Sequence, residues 1–533
     1  MHKMYKYIRE NRPFFVFIFV YILFRILLIN VNFTEWGDTF RMIRGAEYLS
    51  RGLWPFDEKR LPFYSLLLVP GVWFNSQIFW GRLLSIISST VNLFFVYIFY
   101  LRFISSNKKF ALFSSVLLSV TSVFAYWSLR VMADPIFSTL TMVFIYFVMK
   151  FYYKDKKDIG IKKLALLSVL LIAITMTRLE GAFLALSVGL FFLIKKKWLD
   201  SIIVFLPQIF IYLPWIFYTK FIYSGDVQNN YFDELQGFVF DLKRFEYFFS
   251  YTIYVLVIPC LIVFFAFGIL LWKKNKIFNS ILWLPLGMFL ILELIVGFIW
   301  TPSLPRIYMP IIPFLVMLSV FGIEKINHTE HKVLFVSSNL FALGLFVYLQ
   351  STQKLYFLGA SKLLFLILIV SSVLISVSIF FRKSFEKVIF TSLISLSVIV
   401  SFIVVYNQKD IYKTVKQGIN YTLENPGFVA YSDETGNTEY YLKDRSVYLP
   451  PNLIMNPETQ YKILRNWNTE YLLWTNEFNR GSSFIDPKND PRYRLLAVYQ
   501  KEIKDPFDVL LNKLDIEKDD NNEVFYTKVY LVK

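Results

Sequence analysis

The chain has 533 residues, of which 56% are hydrophobic, 20% aromatic and only 18% charged, with a mean hydropathy of +0.49. This composition leaves too few polar side chains to cover a water-soluble protein of that length, so the membrane class is the starting point. The net charge of +17 is no nucleic-acid footprint: residues 1–406 carry 39 Lys+Arg against 20 Asp+Glu, whereas residues 407–533 carry 17 against 19, and basic residues set between apolar runs record membrane topology.

Apolar segments of roughly 15 to 24 residues, each about the length of a membrane-crossing helix, recur at 13–31, 78–101, 110–128, 133–152, 163–177, 180–194, 199–220, 250–272, 278–300, 306–323, 333–350, 362–381 and 388–406. Lys and Arg alternate between the connecting loops. One set holds Lys3, Lys6, Arg9 and Arg12, then Arg102, Lys108 and Lys109, then Lys150 to Lys163, and so on to Arg382, Lys383 and Lys387. The other loops are short or, at 32–77 and 221–249, balanced by acids. The positive-inside rule then puts the N-terminus in the cytoplasm and residues 407–533 outside. The first span lacks a small-residue cleavage site and reads as an anchor.

The fold class expected is an α-helical polytopic membrane protein of about thirteen transmembrane helices with a C-terminal extracytoplasmic α/β domain, residues 407–533. That tail alternates strand-like runs at 428–431, 471–474, 495–499 and 525–531 with helix-like stretches near 437–443 and 458–466. The lone cysteine, Cys260, excludes an intrachain disulfide and a multi-cysteine metal site. His328 and His331 read as an ordinary polar loop rather than a zinc site.

Charge inside a membrane span is costly and marks functional candidates. Arg82, Arg130, Asp134, Arg178, Glu180, Glu293 and Arg306 all fall at or near the outer ends of their spans, which implies a polar cavity opening on the outer face. A transporter places its ionisable groups near the midplane instead. The first outer loop, 32–77, reads as an amphipathic helix opened by Asp38 and ended by Gly52, with Phe40, Ile43, Ala46 and Leu49 on one face. A second stretch follows at 60–68, with Pro62 suited to a first helical turn.

Asp38 has two readings, a helix N-cap or a carboxylate general base for an acceptor hydroxyl. Asp134 with Pro135 reads as a capped helix start or, with Arg130, as an ion pair that orients a substrate. Arg178 and Glu180 share a tight turn. Arg306 and Tyr308 follow a proline-broken segment where a two-point phosphate contact would be useful. Glu293 reads as a buried hydrogen-bonding partner outside the site.

These pieces carry a resemblance. Asp38 followed by Ala46 and Leu49, RLPFYSLLL at 60–68, GRLLSIISSTVNLFFVYIF at 81–99, RVMADPIFSTL at 130–140, TMTRLEGAFLAL at 175–186 and PRIYMPIIPFLVML at 305–318 are together similar to the GT-C superfamily of membrane glycosyltransferases. The likeness is to its protein-mannosyltransferase-like branch, which includes the lipid A aminoarabinose transferases. The tail segment Asn425–Thr475, with PGFVAYSDETGNTEYYL and NTEYLLWT, resembles the periplasmic α/β domain of bacterial members. Asp134 stands where the family more often has Glu, and Leu179 where it has Pro. Thr39 takes the second place of the acidic pair found in protein mannosyltransferases, and the tail lacks the Trp-Trp-Asp signature of oligosaccharyltransferases.

The resemblance implies transfer of a sugar from a polyprenyl-phosphate donor to an acceptor hydroxyl, with inversion at the anomeric carbon. Asp38 is then the catalytic base, and Arg178 and Arg306, with Arg82 as a third, stabilise the leaving phosphate. Arg130, Asp134, Glu180 and Tyr308 complete the substrate-binding set. The expected partners are the lipid-linked donor and membrane lipids, with no nucleic acid; no divalent metal or other cofactor is expected. The competing readings are a flippase or transporter of lipid-linked substrates, a non-catalytic envelope scaffold, and a ligase or polymerase using diphosphate-linked oligosaccharides.

Overall fold

The computed structural model describes residues 8–53, 61–152, 159–217, 259–274, 283–299, 305–326, 332–351, 362–381, 385–432, 436–448, 456–476, 485–503 and 523–533. A long succession of helices is followed by a small mixed sheet. The chain divides into two units, one of Met1–Ile29 with Gly52–Val405 and the other of Asn30–Arg51 with Tyr406–Lys533. The 221–249 loop, His328 and His331 lie outside the described residues.

The first unit is helical, and its polarity is inverted relative to a water-soluble bundle. Phe19, Leu27, Phe341 and Phe402 are more than two-thirds exposed, while Ser85, Ser89, Asn92, Ser138, Thr175 and Asn339 are fully buried. Lipid tails are as apolar as leucine, so helices there gain nothing by hiding phenylalanine and instead bury small and hydrogen-bonding residues against one another. Gly268 and Gly322 show the same economy of space. A Cβ on Gly268 would lie 2.0 Å from the Leu318 carbonyl oxygen, and one on Gly322 would lie 2.4 Å from that of Phe264.

Among the described residues, three helices are long and apolar enough to cross a membrane: Gln77–Ile104, Ala133–Tyr152 and Glu386–Tyr406. Other apolar helices are shorter, including Gly181–Ile194 and Leu284–Ile295. Two expected spans differ for local reasons. The 110–128 run is two helices, Lys108–Ser119 and Ser122–Trp127, broken where Thr121 turns to extended backbone. The carbonyls freed at the break are not left bare, because Arg25 donates to Ser119 O at 2.9 Å and to Ala125 O at 3.0 Å, and Ser401 Oγ donates to Val120 O. Leaving such a buried carbonyl unmatched costs about 1–3 kcal/mol, which accounts for the buried arginine. The 306–323 run starts its helix late, at Ile312–Ile326, after a 3₁₀ turn Pro305–Tyr308; Pro310 has no N–H and cannot continue a helix from that turn.

The second unit contains five strands, β1 Val429–Tyr431, β2 Ser446–Tyr448, β3 Tyr471–Thr475, β4 Tyr493–Ile503 and β5 Glu523–Val532. Their order is β2-β1-β3-β5-β4, with β1 parallel to both neighbours and β5 antiparallel to β3 and β4. Alternation divides the strands between two cores. Leu472 and Trp474 join Leu464 of the Pro457–Asn466 helix on one face, while Leu473, Val429 and Tyr431 meet Val415 and Ile419 of the Lys413–Glu424 helix on the other. Pro457 opens its helix at the first turn, and Asn456 Oδ1 caps it by accepting from Thr459 N at 2.7 Å. Strand β2 and the Lys413–Glu424 helix were not expected from the sequence; the four expected strands are present.

Candidate active site

In the helical unit, charged residues from separate helix ends gather. The Ile161–Thr177 helix ends at Arg178, whose backbone is extended, and the Gly181–Ile194 helix begins three residues on. Gly181 makes that return possible, since a Cβ there would lie 2.9 Å from both Ile174 Cγ2 and the Thr175 backbone. The turn fixes Arg178 so that its guanidinium bonds to Glu180, with Nε 3.1 Å from Oε1, and forms an ion pair with Asp134. The Phe137 ring, one turn along from Asp134, has its centroid 5.7 Å from Arg178 Cζ.

Asp134 is not the cap of its helix. The helix runs Ala133–Tyr152, which puts Asp134 in the first turn, fully buried, with its carboxylate on Arg178. The ion-pair partner is therefore 44 residues away. Glu293, on the Leu284–Ile299 helix, was set outside the site by the sequence. It is buried, its Oε2 has no hydrogen-bond partner among the described residues, and it feels the charges of Glu180, Arg178 and Asp134. The only sequence signal for it was an acid within an otherwise apolar run.

Arg306 belongs to the same electrostatic group, since its charge acts on Glu180. It stands in the Pro305–Tyr308 turn with Nη1 4.0 Å from Met132 Sδ and Cζ 5.7 Å from the centroid of the Trp127 ring. A chain of hydrogen bonds steadies that turn: Asn92 Nδ2 donates to Ser138 Oγ at 3.0 Å, and Ser138 Oγ donates to Met309 O at 3.0 Å. Tyr308 is buried beside it. Arg130 is fully buried, with Cζ 4.9 Å from the Tyr126 ring centroid, and its carbonyl accepts from Ser85 Oγ.

Arg82 has a structural duty. Its Nη1 donates to Ile29 O at 2.9 Å, just past the Arg12–Leu27 helix, where carbonyls lack intrahelical partners. The structure thus groups Asp134, Arg178, Glu180 and Arg306, adds Glu293, and gives Arg82 a helix-end contact.

Asp38 lies in the second unit. Its helix is Gly37–Ser50, with Trp36 at the N-cap position, so Asp38 sits half-buried in the first turn rather than at the cap. There a carboxylate still favours the helix dipole. Gly52 follows the helix with φ +73°, as a left-handed terminator should. Pro62 likewise occupies the N-cap position of Phe63–Trp73 instead of its first turn. Glu35, which the sequence reading passed over, is completely buried three residues before Asp38.

No family model matches the sequence, and no curated protein matches it. Among solved structures it is similar to ArnT from Cupriavidus metallidurans bound to undecaprenyl phosphate, with a TM-score of 0.60 at 12% identity over 97% of this chain and 98% of that one. The apo state of the same ArnT matches with a TM-score of 0.54, also at 12% identity, over 86% and 92%. An oligosaccharyltransferase from Archaeoglobus fulgidus, in a complex with zinc and sulfate, gives 0.39 at 13% identity over 86% and 67%. Over nearly its whole length, then, the chain has a fold similar to that of this ArnT.

Proposed function

We propose that the protein is an inverting glycosyltransferase of the cell membrane, which moves a sugar from a polyprenyl-phosphate donor to an acceptor hydroxyl on the extracytoplasmic face. The observation that carries this reading is the gathering of Arg178, Asp134, Glu180 and Arg306 in a chain whose fold matches that of a protein seen with undecaprenyl phosphate. In the proposed reaction the Asp38 carboxylate takes the proton of the acceptor hydroxyl as its oxygen bonds to the anomeric carbon. The bond from that carbon to the donor phosphate breaks, and its electron pair leaves with the lipid phosphate, which gains negative charge.

Preorganised cations lower the barrier to such a departure. Arg306 supplies one. Arg178 is shared between two carboxylates, so its part is to hold the site's shape and to offer its remaining field. No step is assigned to a metal. The orientation, with a cytoplasmic N-terminus and an extracytoplasmic tail, follows from the distribution of Lys and Arg.

The test uses purified full-length protein in lipid and a panel of undecaprenyl-phosphate hexoses and pentoses. Cleavage of one donor, abolished by Asp38→Asn, is the expected result. Asparagine keeps the side chain's shape and gives up only the charge–dipole interaction of the first turn, about 0.3–1 kcal/mol, but takes no proton from a hydroxyl. A folded Asp38→Asn protein with full turnover would exclude the base role, and a wild-type protein inert to the whole panel would overturn the lipid-phosphate reading.

A further inference from the structure

The role of residues 406–533 is open under this reading, and the second unit offers an answer. The helix that bears Asp38 belongs to that unit, and tail residues hold it along its length. At its approach, Phe33 N donates to Lys409 O at 2.9 Å, and Thr34 Oγ1 donates to Asn437 Oδ1 at 2.7 Å with both residues buried. Trp36 meets Tyr412 edge to face at 6.0 Å between centroids. Phe40 packs on Tyr440 at 5.1 Å and on Tyr441 at 6.1 Å. Arg44 Nη1 lies 2.8 Å from Glu439 Oε1.

Trp36, Phe40 and Arg44 recur every four residues and so form one stripe of the helix. Asp38 is two positions from both Trp36 and Phe40 and six from Arg44, about 160° and about 120° around the axis from them at roughly 100° per residue. These tail contacts therefore lie on a different face of the helix from the position of Asp38. Gly436 adopts φ +73° immediately before the Asn437–Leu442 helix, and a Cβ there would come within 3.4 Å of Phe40.

The geometry points to Asn437, Glu439, Tyr440 and Tyr441 as positioning residues for Asp38: the C-terminal unit is the mount that orients the base. This rests on the proposed role of Asp38. A misplacement of about 1 Å at a reacting group is worth up to about 10²-fold in rate, so loosening the mount acts on kcat and leaves donor binding nearly intact.

The test compares wild type with Asn437→Leu and Tyr440→Ala in the full-length protein. It measures amide exchange over residues 37–50 together with kcat and KM for undecaprenyl-phosphate sugar. Faster exchange in 37–50, with protection kept in β3 and β5 and kcat down at least about tenfold at a near-constant KM, is expected. Unchanged exchange in 37–50 overturns the mount, and faster exchange with unchanged kcat overturns its positioning role. If β3 and β5 lose protection, the arbiter is the exposed pair: Arg44→Glu and Glu439→Arg singly lower kcat and the double reversal restores it, whereas no restoration overturns the proposal. Should Asp38→Asn retain turnover, the base assignment falls, and exchange over 37–50 still decides the mount.

Discussion

Arg178 donates to Asp134 across 44 residues of sequence, from the turn after one helix to the first turn of another, and the same guanidinium is also bound to Glu180. One planar group serves both carboxylates because its N–H donors lie in a fixed fork. Removing one partner of a largely buried pair leaves the other charge uncompensated, at a cost of about 3–5 kcal/mol.

Arg178→Ala, which leaves both carboxylates without their cation, is therefore expected to lower stability by that order, as read from thermal melting in detergent, while Asp134→Ala, after which Glu180 still holds the guanidinium, should cost less. Arg178→Lys should recover little of it, since an ammonium has no fork to span both acids. A double-mutant cycle between positions 134 and 178 should return a coupling well above 1 kcal/mol, roughly the ceiling for exposed pairs.

Glu293 is a third buried acid beside Asp134 and Glu180, with one oxygen unmatched among the described residues. Glutamine keeps its shape and removes its charge. Because burying an unpaired charge is costly, Glu293→Gln should hold or raise the melting temperature, by an amount corresponding to about 1 kcal/mol. A drop of comparable size would show that the carboxylate is needed as an ion.

The close crossing of the Pro259–Lys274 and Ile312–Ile326 helices depends on glycine. A Cβ on Gly268 or Gly322 would overlap a backbone carbonyl of the facing helix, which no side-chain rotation relieves. Gly268→Val and Gly322→Val should each cost at least about 1–3 kcal/mol, seen as a lower yield of monodisperse protein and earlier melting.

In the second unit, burial pushes the Lys416 ammonium from its ordinary 10.5 down to about 8; its Nζ lies 2.8 Å from the Tyr441 ring centroid. The depressed value means that the unfolded chain binds more protons than the folded one between about pH 8 and 10.5, so this group makes stability rise with pH across that window. Below about pH 8 the penalty is present in full. The group is partly exposed, and solvent screening holds the effect to about 1 kcal/mol. Lys416→Met should abolish that portion of the slope in melting curves taken from pH 7 to 10.

Asp134 and Glu180, the acids that a divalent ion would need, are both engaged by Arg178. Donor turnover is accordingly expected to survive EDTA. Complete loss on chelation, restored by Mg²⁺ or Mn²⁺, would overturn that expectation.

Several of the candidate residues stand on local features that the sequence shows. The tight Thr177–Gly181 turn, the acid opening the first loop and the proline-broken start at Arg306 are each written within a few residues, because backbone turns are set by near neighbours. Glu293 was not legible, since a lone acid in an apolar run looks the same whether it faces one partner or none. The contact of Arg82 with the Ile29 carbonyl was not legible either, because an arginine at a span end has the same sequence signature whatever it binds.

Hydrophobic periodicity, the placement of Lys and Arg, and strand alternation in the tail were enough to infer a helical membrane chain ending in a small α/β unit, because those patterns depend on the solvent each face meets. Which helices are neighbours is a property of the assembled chain. It alone pairs Arg178 with Asp134, sends Arg25 to the carbonyls of a broken helix, and unites residues 30–51 with the tail. Each of these contacts joins segments tens to hundreds of residues apart, and no local pattern encodes a partner at that distance.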